Sequence, residues 1–226
     1  MTATQGRYGD ATPVNLNSST LRLTGSNAAV IREVVGAVTV AGGSSLIPNR
    51  SLAGRTTELN VSSLTRVGQG QLAISPAVAG QLGSDERVTV AGANLAAQVV
   101  VVGGITNGMV APWLWNSTDV QFVTFSDFGF VNAGFNMLTS GLVILPAGTG
   151  SERVQINATI QIAATTSSSF YAVRTDATIG GSNAETLSIG SGGLINANSG
   201  VSIFPATNFN GEALIATQGS VTFGAA

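Results

Sequence analysis

From Glu152 to Phe223 the chain runs as a ladder of short apolar steps: Val154/Ile156, Ile160/Ile162, Leu187/Ile189, Val201/Ile203, Leu214/Ile215 and Val221/Phe223. Gly, Ser, Asn and Thr separate the steps. Alternation with period two predicts short strands with one face turned inward. The clearest unit runs from Glu185 to Ile195: a two-residue alternation at Leu187 and Ile189, a Gly-rich corner at Gly190–Gly193, then Leu194 and Ile195. The same steps occur earlier, at Val14/Leu16, Leu21/Leu23, Leu59/Val61 and Leu72/Ile74. Residues 28–40 are compatible with a helical turn, but their β-branched content and Gly36 favour strand. No stretch has the apolar spacing of an amphipathic helix.

Val38-Thr39-Val40-Ala41-Gly42 nearly recurs as Val88-Thr89-Val90-Ala91-Gly92, an offset of 50 residues. Two or three coils of roughly 17–25 residues fit that offset, near the lower end for solenoid repeats. The expected fold is therefore all-β: a right-handed parallel β-helix (β-solenoid) of roughly ten coils, each burying its apolar inside against its neighbours. It is expected to form a single domain over 1–226. Residues 1–13 form a leading loop, 14–102 and 138–226 form coils, and 103–137 form an aromatic-rich loop or hairpin excursion. A β-sandwich or jelly roll is the structural alternative, because short strands with frequent turns also suit it.

Residues 96–137 contain both Trp and five of the nine Phe. Trp113, Trp115, Phe122, Phe125 and Phe128 are the candidate partner or ligand surface, since exposed aromatics stack on sugar rings or dock on a partner. The competing reading of the same residues is a hydrophobic plug packed against the coils. Asn196, Asn198, Asn208 and Asn210 are expected to stack between coils and hydrogen-bond along the stack.

Composition narrows the chemistry. The chain has 44% hydrophobic but only 9% charged residues, and a net charge of −2. Nine Arg are scattered singly and Lys is absent, so no basic patch exists for nucleic acid or anionic lipid. His and Cys are also absent, which removes Ser-His-Asp and Cys-His catalysis, disulfides and His/Cys zinc sites. No cofactor is expected. Gly103-Gly104-Ile105-Thr106-Asn107-Gly108 lacks the spacing of a dinucleotide loop, and Pro112 follows where a helix would continue. The remaining candidates for acid–base or calcium chemistry are Asp85, Glu86, Arg87, Asp119, Asp127, Glu152 and Arg153. Paired carboxylates of this kind serve glycoside hydrolysis. Isolated charges are more often solvated corners, and no catalytic residue is assigned. The first residues, Met1 to Arg7, lack the apolar core of a signal peptide. Either the chain is cytosolic or it is an internal piece of a longer exported chain; the second is the expectation, for a segment that is not itself transmembrane.

Gly103-Gly104-Ile105, then Val110-Ala111-Pro112-Trp113, then Asp119 with Phe122-Val123-Thr124-Phe125, resemble the autotransporter-associated β-strand repeat proteins of bacteria. Tyr171-Ala172-Val173-Arg174, Thr186–Leu194 and Leu21–Asn27 also resemble that family, and the likeness covers most of 14–223. The resemblance implies a right-handed parallel β-helix and passenger-like export, and it supplies no catalytic residues. The expected function is a non-enzymatic structural segment of a secreted or bacterial cell-surface, outer-membrane-associated protein, acting as scaffold or adhesion surface. Its expected partners are flanking coils of the same parent chain, a second copy end to end, or surface carbohydrate. The alternatives are a carbohydrate-active β-helix (lyase or hydrolase) and a carbohydrate- or protein-binding module using exposed aromatics.

Overall fold

In the computed structural model, residues 9–27, 30–91, 101–102, 105–106 and 109–224 are described. The first eight residues of the leading loop, Gln98–Val100 and the glycine pair Gly103-Gly104 lie outside them. The described residues are all-β, with no helix. In chain order the strands are β1 (Val14–Asn17), β2 (Thr20–Thr24), β3 (Val30–Ala41), β4 (Gly43–Asn49), β5 (Thr56–Arg66), β6 (Gln71–Ile74) and β7 (Glu86–Val90). Then come β8 (Val101–Val102), β9 (Ile105–Thr106), β10 (Leu114–Asn116), β11 (Gln121–Ser126), β12 (Gly129–Asn132), β13 (Met137–Leu138), β14 (Ile144–Leu145), β15 (Arg153–Ile156) and β16 (Ile160–Ile162). The last are β17 (Ser167–Thr175), β18 (Ile179–Gly180), β19 (Thr186–Asn196), β20 (Gly200–Ile203), β21 (Ala206–Phe209), β22 (Leu214–Thr217) and β23 (Ser220–Phe223). The chain divides into two compact units, Met1–Val99 with Trp113–Ala133, and Val100–Pro112 with Gly134–Ala226.

In the first unit, β1 to β7 alternate between two sheets, and β10, β11 and β12 all join one of them. One sheet has the order β1-β3-β5-β7, the other β12-β11-β10-β6-β4-β2. All ladders are parallel except β10–β11 and β11–β12. The stretch from Val30 to Ala41 is strand throughout, in keeping with its β-branched residues. Period-two burial follows in register: Val35 pairs with Val61 and Val61 with Val90, while Glu33, Leu59 and Val88 form the neighbouring inward row. The near repeat at Val38 and Val88 does not mark equivalent positions. Val38 pairs with Leu64, whereas Val88 pairs with Leu59. Offsets between paired strands here exceed the expected coil length: Val30 lies opposite Thr56, Thr57 opposite Glu86, and Leu72 opposite Leu114. Long connections at the strand ends absorb the difference.

The aromatic-rich stretch is distributed accordingly. Residues 113–133 belong to the first unit, where β10 extends the sheet beside β6 and β11–β12 form an antiparallel hairpin. Phe125 and Phe130 face each other edge to face across that hairpin, ring centroids 5.4 Å apart. Gly129, at φ 91°, lets the hairpin approach the Val88 carbonyl, where any Cβ would collide. The antiparallel pair β8–β9 belongs to the second unit.

The second unit alternates in the same way. One sheet has the order β13-β15-β17-β19-β21 with β22 also on β19; the other has the order β14-β16-β18-β20-β23. Every ladder of these two sheets is parallel. Apolar side chains stack in columns: Met137–Val154–Val173–Leu194–Ile215, Ile160–Ile179–Ile203–Phe223 and Phe170–Ile189–Phe209. Most of these residues are fully buried. Burying each aliphatic side chain contributes about 1.5–3 kcal/mol. Met137, Phe209, Ile215 and Val221 pack against this core only in part. Phe223, at the end of its column, is 42% exposed.

The Gly190–Gly193 corner is a bulge inside β19. Phe170 pairs with Ile189 and Ala172 with Gly193, so Tyr171 faces three residues. Gly192 takes φ 75° there, against the Glu212 carbonyl. On the other side of β19 the two flanks of the bulge pair with separate strands, β21 and β22.

Candidate functional site

Three structural roles account for most of the candidate charged residues. Glu86 is completely buried on the inward row of β7, beside Thr57. Its Oε1 accepts from the Arg50 amide at 2.8 Å and its Oε2 from the Val78 amide at 3.0 Å. Two backbone N–H groups thus compensate a carboxylate that would otherwise be costly to bury. Asp85 accepts from the Arg50 guanidinium and, at 3.0 Å, from the Gly54 amide. Arg87 donates to the Ser84 carbonyl at 2.6 Å, with its guanidinium 5.1 Å from the Phe128 ring centre.

Asp119 belongs to a polar knot at the β10–β11 turn. Its Oδ2 accepts from Nδ2 of both Asn116 and Asn132 at 2.8 Å, and its Oδ1 from the Gly80 amide at 2.9 Å. Asn116, fully buried, closes the turn by accepting from the Thr118 amide at 3.0 Å. Asp127 is exposed in the hairpin turn. Glu152 binds its own loop, accepting from the Thr149 amide at 2.9 Å and hydroxyl at 2.6 Å. Partial burial pushes its carboxyl up, but these Thr149 bonds outweigh that and hold it below the ordinary carboxylate value. Desolvation lowers the basicity of neighbouring Arg153. Asp85, Glu86, Asp119 and Glu152 are thus each taken up by donors of the fold. Among the described residues no group of three or more acidic side chains is placed to hold a metal ion.

The five candidate aromatics separate. Trp113 and Phe122 are buried, 7% and 1% exposed, and present no surface to a partner. Phe125 is half-buried against Phe130, and Phe128 is exposed beside Arg87. Trp115 is half-buried on the outward face of β10. Within β10 Leu114 and Asn116 point inward, so Trp115 between them points out, whereas Trp113 is buried in the turn that precedes the strand.

On that outward face lies an open groove of about 330 Å³, lined by Gly43, Ser44, Ser45, Gln71, Ala73, Ser75 and Trp115. The floor is a row in register across three strands, Ser45, Ala73 and Trp115, and Thr20 stands next to Ser45 beyond the lining. Hydroxyl pairs fix its margins, Thr20 with Ser45 at 2.8 Å and Ser75 with Ser117 at 2.5 Å. Small side chains leave room above it, and a Cβ added at Gly43 would meet nothing within 4 Å. Among the described residues no charged side chain lines the groove. Sequence reading found Trp115 but missed Gln71, Ala73 and the serines. Their only signal was a small or polar residue at each outward position of strands that are far apart in the chain.

Compared with known protein families, with curated proteins and with solved structures, the chain matches none.

Proposed function

We propose that this chain is a right-handed β-solenoid serving as a structural segment of a secreted or bacterial cell-surface protein of the autotransporter-associated repeat type. The observation that carries the reading is the alternation of successive strands between two sheets, from β1 to β7 in the first unit and from β13 to β21 in the second, with every ladder among those strands parallel. A chain that alternates this way makes one turn per strand pair, and parallel crossovers are overwhelmingly right-handed. Sandwiches and jelly rolls are built instead from antiparallel strands.

A scaffold role is favoured by where the charged residues are used. Glu86, Asp119 and Glu152 fasten turns through backbone and amide donors, rather than converging on a shared cleft. The last strands β21, β22 and β23 each have a ladder partner on one side only, with Phe209 and Phe223 half-covered at 6.1 Å from each other. Such an edge suits continuation by further strands of a parent chain or by a second copy.

The test is location. An antibody against this segment, applied to intact cells of the producing bacterium, should label the surface, and external protease should remove the label. Labelling that requires lysis would refute export.

A further inference from the structure

We propose that the groove beside Trp115 binds a neutral oligosaccharide, a function separate from the scaffold role and not dependent on it. Three observations converge. The indole of Trp115 is half-exposed on the outward face, in register with Thr20, Ser45 and Ala73 on one side and with Phe122 on the other. Neither its Nε1 nor the Gln71 side-chain amide has a hydrogen-bond partner among the described residues, although both residues line the groove. The rest of the lining is Gly, Ala and Ser, which leaves the floor flat and open.

A pyranose ring matches this pattern. Its apolar C–H face lies on an aromatic plane, and its hydroxyls take both donors and acceptors at the rim. The lining row from Ser45 to Trp115 spans two strand spacings, roughly 10 Å, which is room for about two sugar rings laid across the strands. The absence of charge in the lining selects a neutral glycan. A uronate or sulfated chain would bring anions with no cation to meet them, and desolvating an unpaired charge is costly. An apolar side chain in the groove would leave the Gln71 amide and the Trp115 Nε1 unanswered.

The experiment is a fluorescence titration of the whole chain with hexasaccharides of β-linked glucose, α-linked glucose and N-acetylglucosamine, and with an oligogalacturonate. Trp115 reports directly, because the other tryptophan, Trp113, is buried. At least one neutral sugar is expected to saturate the signal, and the oligogalacturonate is not. Trp115→Ala should weaken binding about tenfold or more, read by calorimetry. Ala73→Ile fills the groove at an outward strand position where a β-branched residue is well accepted, and should block binding with melting unchanged. Phe128→Ala, in the hairpin turn, should bind as the parent does. No saturation by any neutral sugar up to about 10 mM overturns the proposal. So does an Ala73→Ile variant that folds and still binds, or equal affinity for the anionic chain.

Discussion

The Asn196 side chain donates to the Ser220 carbonyl at 2.9 Å, reaching from the end of β19 to the start of β23. Asn196 stands in register between Thr175 and Thr217, and all three do the same local work. Each side-chain oxygen accepts from the amide two residues on: Ala177 at 3.3 Å, Asn198 at 3.0 Å and Gly219 at 2.9 Å. A stacked column of Asx- and Ser/Thr-type turns therefore closes one corner of the second unit. Only Asn adds a donor that reaches the neighbouring segment. Asn196→Ala should cost about 1–3 kcal/mol in denaturant unfolding, and Asn196→Thr clearly less, since it keeps the turn.

Ser168 is the opposite case. It is 1% exposed, its hydroxyl has no partner, and it pairs in register with Leu187 of the core. Ser168→Ala removes a desolvated hydroxyl and little volume. It is expected to stabilise by about 1 kcal/mol, seen as a raised Tm.

Glu185 ties two turns together. It accepts from the Thr165 amide at 2.9 Å and from the Ser182 hydroxyl at 2.7 Å and amide. The Thr165 amide above all, then the Ser182 donors, hold its carboxyl below the ordinary 4.5. A depressed folded-state value stabilises the fold above about pH 4.5, and the contribution is lost as pH falls through the folded value. Glu185→Gln should therefore melt below the parent at pH 7, and the gap should narrow as pH falls below the ordinary carboxylate value. A gap independent of pH would refute the linkage.

Register makes one rearrangement testable. Arg153 lies opposite Ala172 on β17, nineteen residues on, and Val154 opposite Val173. Deleting 154–172 joins Arg153 to Val173 in the same register. If the alternating strands are turns of a solenoid, the shortened chain should keep its β-sheet circular dichroism and unfold cooperatively with a lower Tm. A sandwich would lose strands from the middle of its sheets and fail to fold.

Gly192 tests the bulge. With φ 75° and the Glu212 carbonyl directly in the path of a Cβ, Gly192→Ala should destabilise by about 2 kcal/mol or more. Gly43→Ala, in open space, should cost far less.

The apolar steps were legible because burial repeats every second residue. Val154, Ile156, Ile160, Ile162, Leu187 and Ile189 are all core. Pairing was not legible, because register depends on loop lengths that apolar steps do not encode. Thus the near repeat at Val38 and Val88 suggested equivalence, and the ladder set Val88 beside Leu59 instead. The aromatic stretch was visible as a composition change, but the side each ring takes depends on where β10 begins. β10 begins only at Leu114, so Trp115 turns outward on the strand while Trp113 is buried in the turn before it. Among the four asparagines expected to stack, Asn196 reaches across the stack to Ser220 and Asn198 to the Asp176 carbonyl, whereas Asn208 donates only to Asn210, two residues on. Asparagine content alone does not distinguish a corner from a loop.

The direction of the ladders in the second unit has a mechanical consequence. Each strand is held to its neighbour by a row of backbone hydrogen bonds lying across the strand. Force that lifts β23 away from β20 meets those bonds one after another, and the sheet opens like a zipper at low load. Force along the strands meets the whole row together, and the interlocked columns of Ile and Val resist sliding. The unit is therefore expected to be weak to peeling and strong in shear.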